Sequence, residues 1–281
     1  MELQLGAVCR GAGGLTHPFD IATGVTHVAE GRWAAEVDPG WFAPMGPNGG
    51  YLASLVLRAL TEAVADRERA PRSLNLHYLR PPAAGPVEVA VTVERTGRSL
   101  TTLSARLEQD GRLCVLALAA FAVDMPSATD FAATAPEATP FAELPRIEAP
   151  AGTPPITHRL DVRPALGSLP FAGVDEARTG GWLAFATPRE ADALACATYV
   201  DAWWPAPFVR LTAPIAAPTI DLSIHFRVRL PLEATDPPGP VLGLFTSRTS
   251  AQGFFEEDAE LWSPGGVLLA QGRQLALARP L

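Results

Sequence analysis

Three polar side chains sit in stretches that are otherwise apolar, and together they could hold and activate a water. Asp221 interrupts the strand-like segment Thr219 to Val228, although Asp is disfavoured in strands and costly to bury without partners. Gln274 stands inside the apolar run Leu268 to Ala278, and Thr246 follows Val241 to Phe245. A carboxylate can take a proton from water while a hydroxyl and an amide fix the water's orientation. A fourth feature is Asn48-Gly49-Gly50 at the start of an apolar helix. There Asn48 reads as the N-cap, the first-turn amides lack helical partners, and the glycines leave room for close approach by a carbonyl group. Each residue also has a plain structural reading. Asp221 could pair with Arg227 or Arg229, Thr246 is an ordinary strand residue, Gln274 could face solvent, and the two glycines could serve tight helix packing.

Other chemistries find little support. The chain has no GxSxG, GxGxxG, P-loop or HExxH pattern, which removes the signatures of serine hydrolases, dinucleotide and nucleotide binders and zinc proteases. Cys9, Cys114 and Cys196 form no CxxC pair, and the five histidines lack ligand spacing, so neither a disulfide framework nor a metal site is expected. The formal charge is −8, with 22 Lys+Arg of which all are Arg. That balance argues against nucleic acid as a partner, because counterion release needs a basic face. The longest uncharged apolar run, Leu113 to Val123, is too short for a membrane helix, and a cytoplasmic protein without membrane partners is expected.

The elements that must position these residues recur in the same order twice. A short strand, Trp33 to Val37, leads to the helix from Tyr51 to Ala65, apolar nearly all round as a buried helix is. Four strand-like segments follow: Ser73 to Leu79, Pro86 to Arg95, Ser99 to Leu107 and Arg112 to Val123, the last two joined by an Asp-Gly turn. Residues 124–156 carry seven prolines and no sustained period, which reads as a surface connection between domains. Then come a strand at Gly180 to Ala186, a helix at Arg189 to Trp204, and strands at Thr219 to Val228, Val241 to Ser247, Phe254 to Trp262 and Val267 to Ala278. Leu76-His77-Tyr78 aligns with Ile224-His225-Phe226 at an offset of 148. In that alignment Ser73 stands opposite Asp221, and in a second one, the Gly111 strand against the Gly266 strand at an offset of 155, Ala119 stands opposite Gln274, so one site per chain is expected. The reading is an α+β chain of two domains, 1–124 and 157–281, joined by 125–156.

This duplicated helix-and-meander pattern resembles the type II acyl-CoA thioesterases, the TesB-like proteins with two fused hotdog domains, each an antiparallel sheet wrapped around a long helix. Gly49-Gly50 with Leu79-Arg80-Pro81 looks like the family's "GG…LRP" pattern. Thr219-Ile220-Asp221-x-Ser223-x-x-Phe226 looks like "TIDHS..F", Thr246-Ser247 before Gly253-Phe254 like "TS……GF", and Gln274 falls where the family has the Gln of "VLVAS..Q". Asp201-Ala202-Trp203-Trp204 resembles the helix-ending "SD..F" segment and reads as helix termination and packing. Departures are Leu222 in place of the family's His, Leu275 after the Gln, and a turn two residues longer before Gly266.

The resemblance implies cofactor-independent hydrolysis of an acyl-CoA or acyl-carrier-protein thioester. Asp221, Thr246 and Gln274 would hold the water, and Asn48, Gly49 and Gly50 would receive the substrate carbonyl. Because the net charge is acidic, a local cluster drawn from Arg80, Arg210, Arg227, Arg229 or Arg248 would have to bind CoA phosphates; the corner Trp203-Trp204-Pro205 would border an apolar tunnel, and the chain would form a homo-oligomer. Two other functions stay open: a non-catalytic acyl-thioester binder, and an enoyl-thioester hydratase using Asp221 and His225, which lie four apart on one strand face.

Overall fold

The computed structural model describes residues 16–232 and 239–281; Cys9 lies outside them. The first half opens with a one-turn helix α1 (Pro18–Ala22) and a hairpin of β1 (Val25–Ala29) and β2 (Arg32–Val37). The short pair β3 (Phe42–Ala43) and β4 (Gly46–Pro47) precedes α2 (Gly49–Val64). The meander follows as β5 (Ala70–Tyr78), β6 (Gly85–Thr96), β7 (Leu100–Gln109) and β8 (Arg112–Ala122). The second half contains β9 (Leu160–Gly167), β10 (Arg178–Phe185), α3 (Ala193–Tyr199), β11 (Thr219–Phe226), β12 (Val241–Thr246), β13 (Ser250–Ala251), β14 (Phe254–Trp262) and β15 (Leu268–Leu277).

Among the described residues, 13 strands form one antiparallel sheet in the order β1-β2-β6-β7-β8-β5-β11-β15-β14-β12-β10-β9, with β13 beside β14. The order is palindromic. β5 answers to β11, β8 to β15, β7 to β14, β6 to β12, β2 to β10 and β1 to β9, so each half is the same six-stranded unit. The halves join where β5 pairs with β11, and Asn75 sits opposite Ser223 there. Those two residues are 148 apart, the offset of the sequence repeat, so the local two-fold passes between them.

Inside the curved sheet, α2 buries Leu52, Leu55, Val56, Leu57 and Leu60, and α3 packs on α2. The strands alternate as half-buried strands must: in β8, Val115, Ala117, Ala119 and Phe121 face the helices while Leu116 and Leu118 are exposed. At Gly50 the two helices pack too tightly for a side chain. A Cβ there would lie 2.5 Å from the Thr198 carbonyl oxygen and 2.8 Å from that of Ala197.

One expectation changes. The helix expected over Arg189 to Trp204 is shorter, Ala193–Tyr199, because Asp192 caps it by accepting from the Ala195 amide at 2.8 Å. Arg189 stays outside, bridging the carboxylates of Asp20 and Asp192. The connection 124–156 packs along the second half. It carries no strand, yet Ala135, Ala138, Phe141 and Leu144 cover the outer-face cluster Leu166, Trp182, Leu242 and Trp262. Trp182 Nε1 donates to the Thr139 carbonyl at 2.8 Å, and the Arg163 guanidinium lies 3.7 Å over the Phe141 ring. Strands β1 and β9, absent from the sequence reading, complete the two ends of the sheet.

Candidate active site

The site forms where α3 ends against the beginning of α2. Asn48 caps α2 by accepting from the Tyr51 amide at 2.9 Å, and its Nδ2 reaches across to donate to the Asp201 carbonyl at 2.7 Å and to Asp201 Oδ2 at 3.0 Å. The Gly50 amide donates to the same Oδ2 at 3.0 Å, and the Gly49 amide adds to this cradle. Gly49 has no room for a side chain, since a Cβ would sit 2.8 Å from Asp201 Oδ2. The N-terminus of a 16-residue helix thus holds a carboxylate from the other half, the charge its dipole favours.

Two strands complete the cluster. Gln274 on β15 is buried; its Oε1 accepts from Thr219 Oγ1 at 2.8 Å, its Nε2 donates to Glu257 Oε1 at 2.8 Å, and its amide lies on the side of Asp201, where it favours the ionised carboxylate. Thr219 reaches this face through a register shift between Thr219 and Asp221 in the pairing of β11 with β15. Thr219 is thereby opposite Ala276 and Asp221 opposite Leu275. Ala276 shares the inner face with Gln274, whereas Leu275 points outward. Ile220 is the extra residue of a bulge, and it turns Thr219 inward.

Asp201, Thr219 and Gln274 all line a cavity of about 960 Å³. Its wall is mainly apolar, built from the 203–208 corner, the 214–220 segment and the connection near Ile147 and Ile156, with Trp203, Trp204 and Pro205 on it as the sequence suggests. Burial pushes the Asp201 carboxyl up to about 6, against the hydrogen bonds from Gly50, Gln274, Gly49 and Asn48 that favour its charged form. Burial likewise pushes the Glu257 carboxyl up to about 8. Cys114 and Cys196 have their thiols raised by burial, so neither supplies a thiolate nucleophile at neutral pH.

Of the residues named from the sequence, Gln274, Asn48 and Gly49 border this cavity. Asp221 and Thr246 do not. Asp221 is opposite Leu275 and His77, with the outward-facing row that includes His225, and Thr246 ends β12 opposite Asp258, one residue past the inward Phe245. The pair Asp221 and His225, considered for a hydratase, therefore lies on the face turned away from the cavity. The Gly50 amide is already engaged by Asp201 and is not free for a substrate oxygen. Among the five Arg considered for CoA, Arg80 borders the cavity, and Arg279 joins it from the last residues. Arg229 is instead paired with Asp124, and Arg227 bonds Gln271.

Sequence reasoning passed over Asp201, Thr219 and Glu257. Thr219 and Asp201 stood inside quoted motifs, and the bulge that turns Thr219 inward has no signature in a two-residue period. Glu257 did carry a signal. In Phe255-Glu256-Glu257-Asp258-Ala259 it takes the inward phase between two buried residues, unlike its acidic neighbours.

The doubled, helix-wrapping sheet with one inter-half cavity defines a double-hotdog protein. Residues 37–122 match the acyl-CoA thioesterase N-terminal domain and residues 132–278 the acyl-CoA thioesterase C-terminal domain. The chain belongs to this acyl-CoA thioesterase family and is a thioester hydrolase. A hot dog fold protein of unknown function from Alicyclobacillus acidocaldarius is 27% identical, with a TM-score of 0.85 over 95% of this chain and 100% of its own. A Thermobifida fusca protein provisionally named thioesterase II is 30% identical, with a TM-score of 0.80 over 93% and 97%. The acyl-CoA thioesterase II TesB2 of Mycobacterium marinum shares the fold at 19% identity and a TM-score of 0.74, over 94% and 98%. No curated protein matches the chain. Among the described residues no helix is long and apolar enough to cross a membrane.

Proposed function

We propose that the chain hydrolyses an acyl-CoA with Asp201 as general base on a water that Thr219 and Gln274 orient. The observation that carries this reading is the meeting of these three groups at the cavity wall. A carboxyl near 6 is mostly ionised at neutral pH yet basic enough to accept a proton, the compromise general-base catalysis requires. The water oxygen bonds to the thioester carbon as its proton passes to Asp201. The carbonyl π electrons move onto oxygen, and that charge develops in the field of the α2 N-terminus. When the tetrahedral intermediate collapses, the C–S bond breaks and the leaving thiolate takes from Asp201 the proton that came from the water. The products are a free acid and CoA thiol.

The apolar cavity suits an acyl chain, and Arg80 and Arg279, both exposed on its lining, suit CoA phosphates. Asp201→Asn should fold and bind acyl-CoA while kcat falls about 10²–10⁴-fold. Free-thiol release across a panel of acyl-CoAs checks this, and an unchanged rate would refute the assignment. Arg80→Ala together with Arg279→Ala should raise KM several-fold, with a loss that shrinks at high salt and kcat held. Equal KM values at low salt would remove these Arg from the CoA site.

A further inference from the structure

Glu257 is not on the cavity wall, but it is among the few buried charged residues, at 3% exposure. Three acidic neighbours on β14, Glu256, Asp258 and Glu260, keep to the more open face. Its two carboxyl oxygens are both occupied: Oε1 accepts from Gln274 Nε2 at 2.8 Å, and Oε2 accepts from the Ala206 amide, at the start of the turn that follows the Trp203-Trp204 corner. The Gln274 amide is therefore flanked by two carboxyl groups, Glu257 behind it and Asp201 at the cavity. Both Glu257 oxygens accept in this arrangement, so the Gln274 nitrogen is turned to Glu257 and its oxygen is left for Thr219.

From this geometry we infer that Glu257 is a positioning residue, which fixes the Gln274 amide and, through it, the Thr219 hydroxyl and the water they orient. The inference rests on the proposed roles of Asp201, Thr219 and Gln274. It also sets a pH window. The charges acting on Glu257 are those of Asp201, beyond Gln274, and of Glu256, its neighbour on β14; both are carboxylates. Burial pushes the Glu257 carboxyl up to about 8, which favours its neutral form at neutral pH and its ionisation on the alkaline side. Its ionisation then places a second buried anion beside ionised Asp201. That anion opposes the charge developing on the thioester oxygen and competes for the Gln274 amide, so kcat falls on the alkaline side.

The experiment compares wild type, Asp201→Asn, Glu257→Gln and Glu257→Asp on one saturated acyl-CoA, with kcat and KM taken from pH 5.5 to about 9.5 and uncatalysed hydrolysis subtracted. In Glu257→Gln one of the two accepting oxygens becomes an NH2 that only donates, so either Gln274 or Ala206 loses its acceptor. We expect kcat to fall about 10–100-fold with KM within a factor of two, and the alkaline limb to vanish. Glu257→Asp keeps a titrating group and should keep an alkaline limb at intermediate kcat. If Asp201→Asn hydrolyses at the wild-type rate, the catalytic reading fails and this inference falls with it. If Asp201→Asn collapses while Glu257→Gln retains kcat and the alkaline limb, the inference alone is overturned. Should Glu257→Gln not fold, the wild-type profile decides: a fall near pH 8 supports the assignment, and a flat profile through 9 overturns it.

Discussion

Asp201 and Glu257 share a property with consequences beyond catalysis, since both are carboxyls whose burial raises them above their unfolded values, from 3.8 to about 6 and from 4.5 to about 8. The folded chain thus binds protons more tightly than the unfolded chain at these positions. Their contribution to stability is complete below about pH 4 and declines as pH rises, first through 6 and then through 8. Asp20, held low by Arg189 and Arg58 despite burial, works in the opposite sense below its ordinary range. The difference between wild type and Glu257→Gln isolates one group. The Tm of wild type relative to this variant should fall between pH 5 and 9, and calorimetry at half-unit intervals would test it. A constant difference would mean that Glu257 does not titrate in that range. The same residues mark how far side-chain type alone carries. Gln274 stood out as an amide in an apolar strand and does border the cavity. Asp221 stood out by the same rule but faces outward, because a carboxylate in a strand is equally at home on the solvent side.

At the level of elements, periodicity and capping located most of the fold. The Asn48 cap, the buried α2 and the strand from Phe254 to Trp262 lie where their residues indicate, because a full turn of apolar positions or a clean alternation admits few other arrangements. What escaped were features that break the period or depend on distant partners. The bulge at Ile220 puts Thr219 on the inner face while Asp221 stays on the outer one. The shortness of α3 follows from the Asp192 cap and from a chain that must turn at Asp201 to meet α2. That meeting depends on Gly50, whose missing Cβ lets α2 approach the Thr198 and Ala197 carbonyls. Both obstacles are backbone atoms, so Gly50→Ala must push the helices apart. Overpacking of this kind costs about 1–3 kcal/mol. A lowered Tm should accompany a reduced kcat as the Asp201 carboxylate is drawn from its amides. Unchanged thermal unfolding and turnover would show that the helices can yield there without cost.

On the scale of the whole chain, the proposed catalytic set is divided between the repeats. The helix N-terminus that cradles Asp201 comes from the first half, and Asp201, Thr219 and Gln274 come from the second. The repeat was readable as an element order, and one site per chain was expected from the unequal residues at matched positions. The contribution of the connection was not readable, because its prolines and alanines carry no period. Its exposed stretch 125–131 is followed by residues that seal the outer face of the second half, and then by Ile147 and Ile156 on the cavity wall. The halves are held by the β5–β11 ladder, by the packing of α2 on α3 and by one apolar core that contains side chains of both. Covalent continuity at 127–130 therefore adds little beyond the high effective concentration of one half near the other. A protease site placed at Ser127 to Asp130 and cleaved after folding should leave a nicked protein that elutes as one species and releases thiol at near the intact rate. The first half produced alone should be inactive, since it lacks Asp201, and the second alone should be inactive because its carboxylate has lost the amides of Gly49 and Gly50. Separation of the nicked halves under native conditions would mean that the ladder and helix contact are too weak to keep the site assembled.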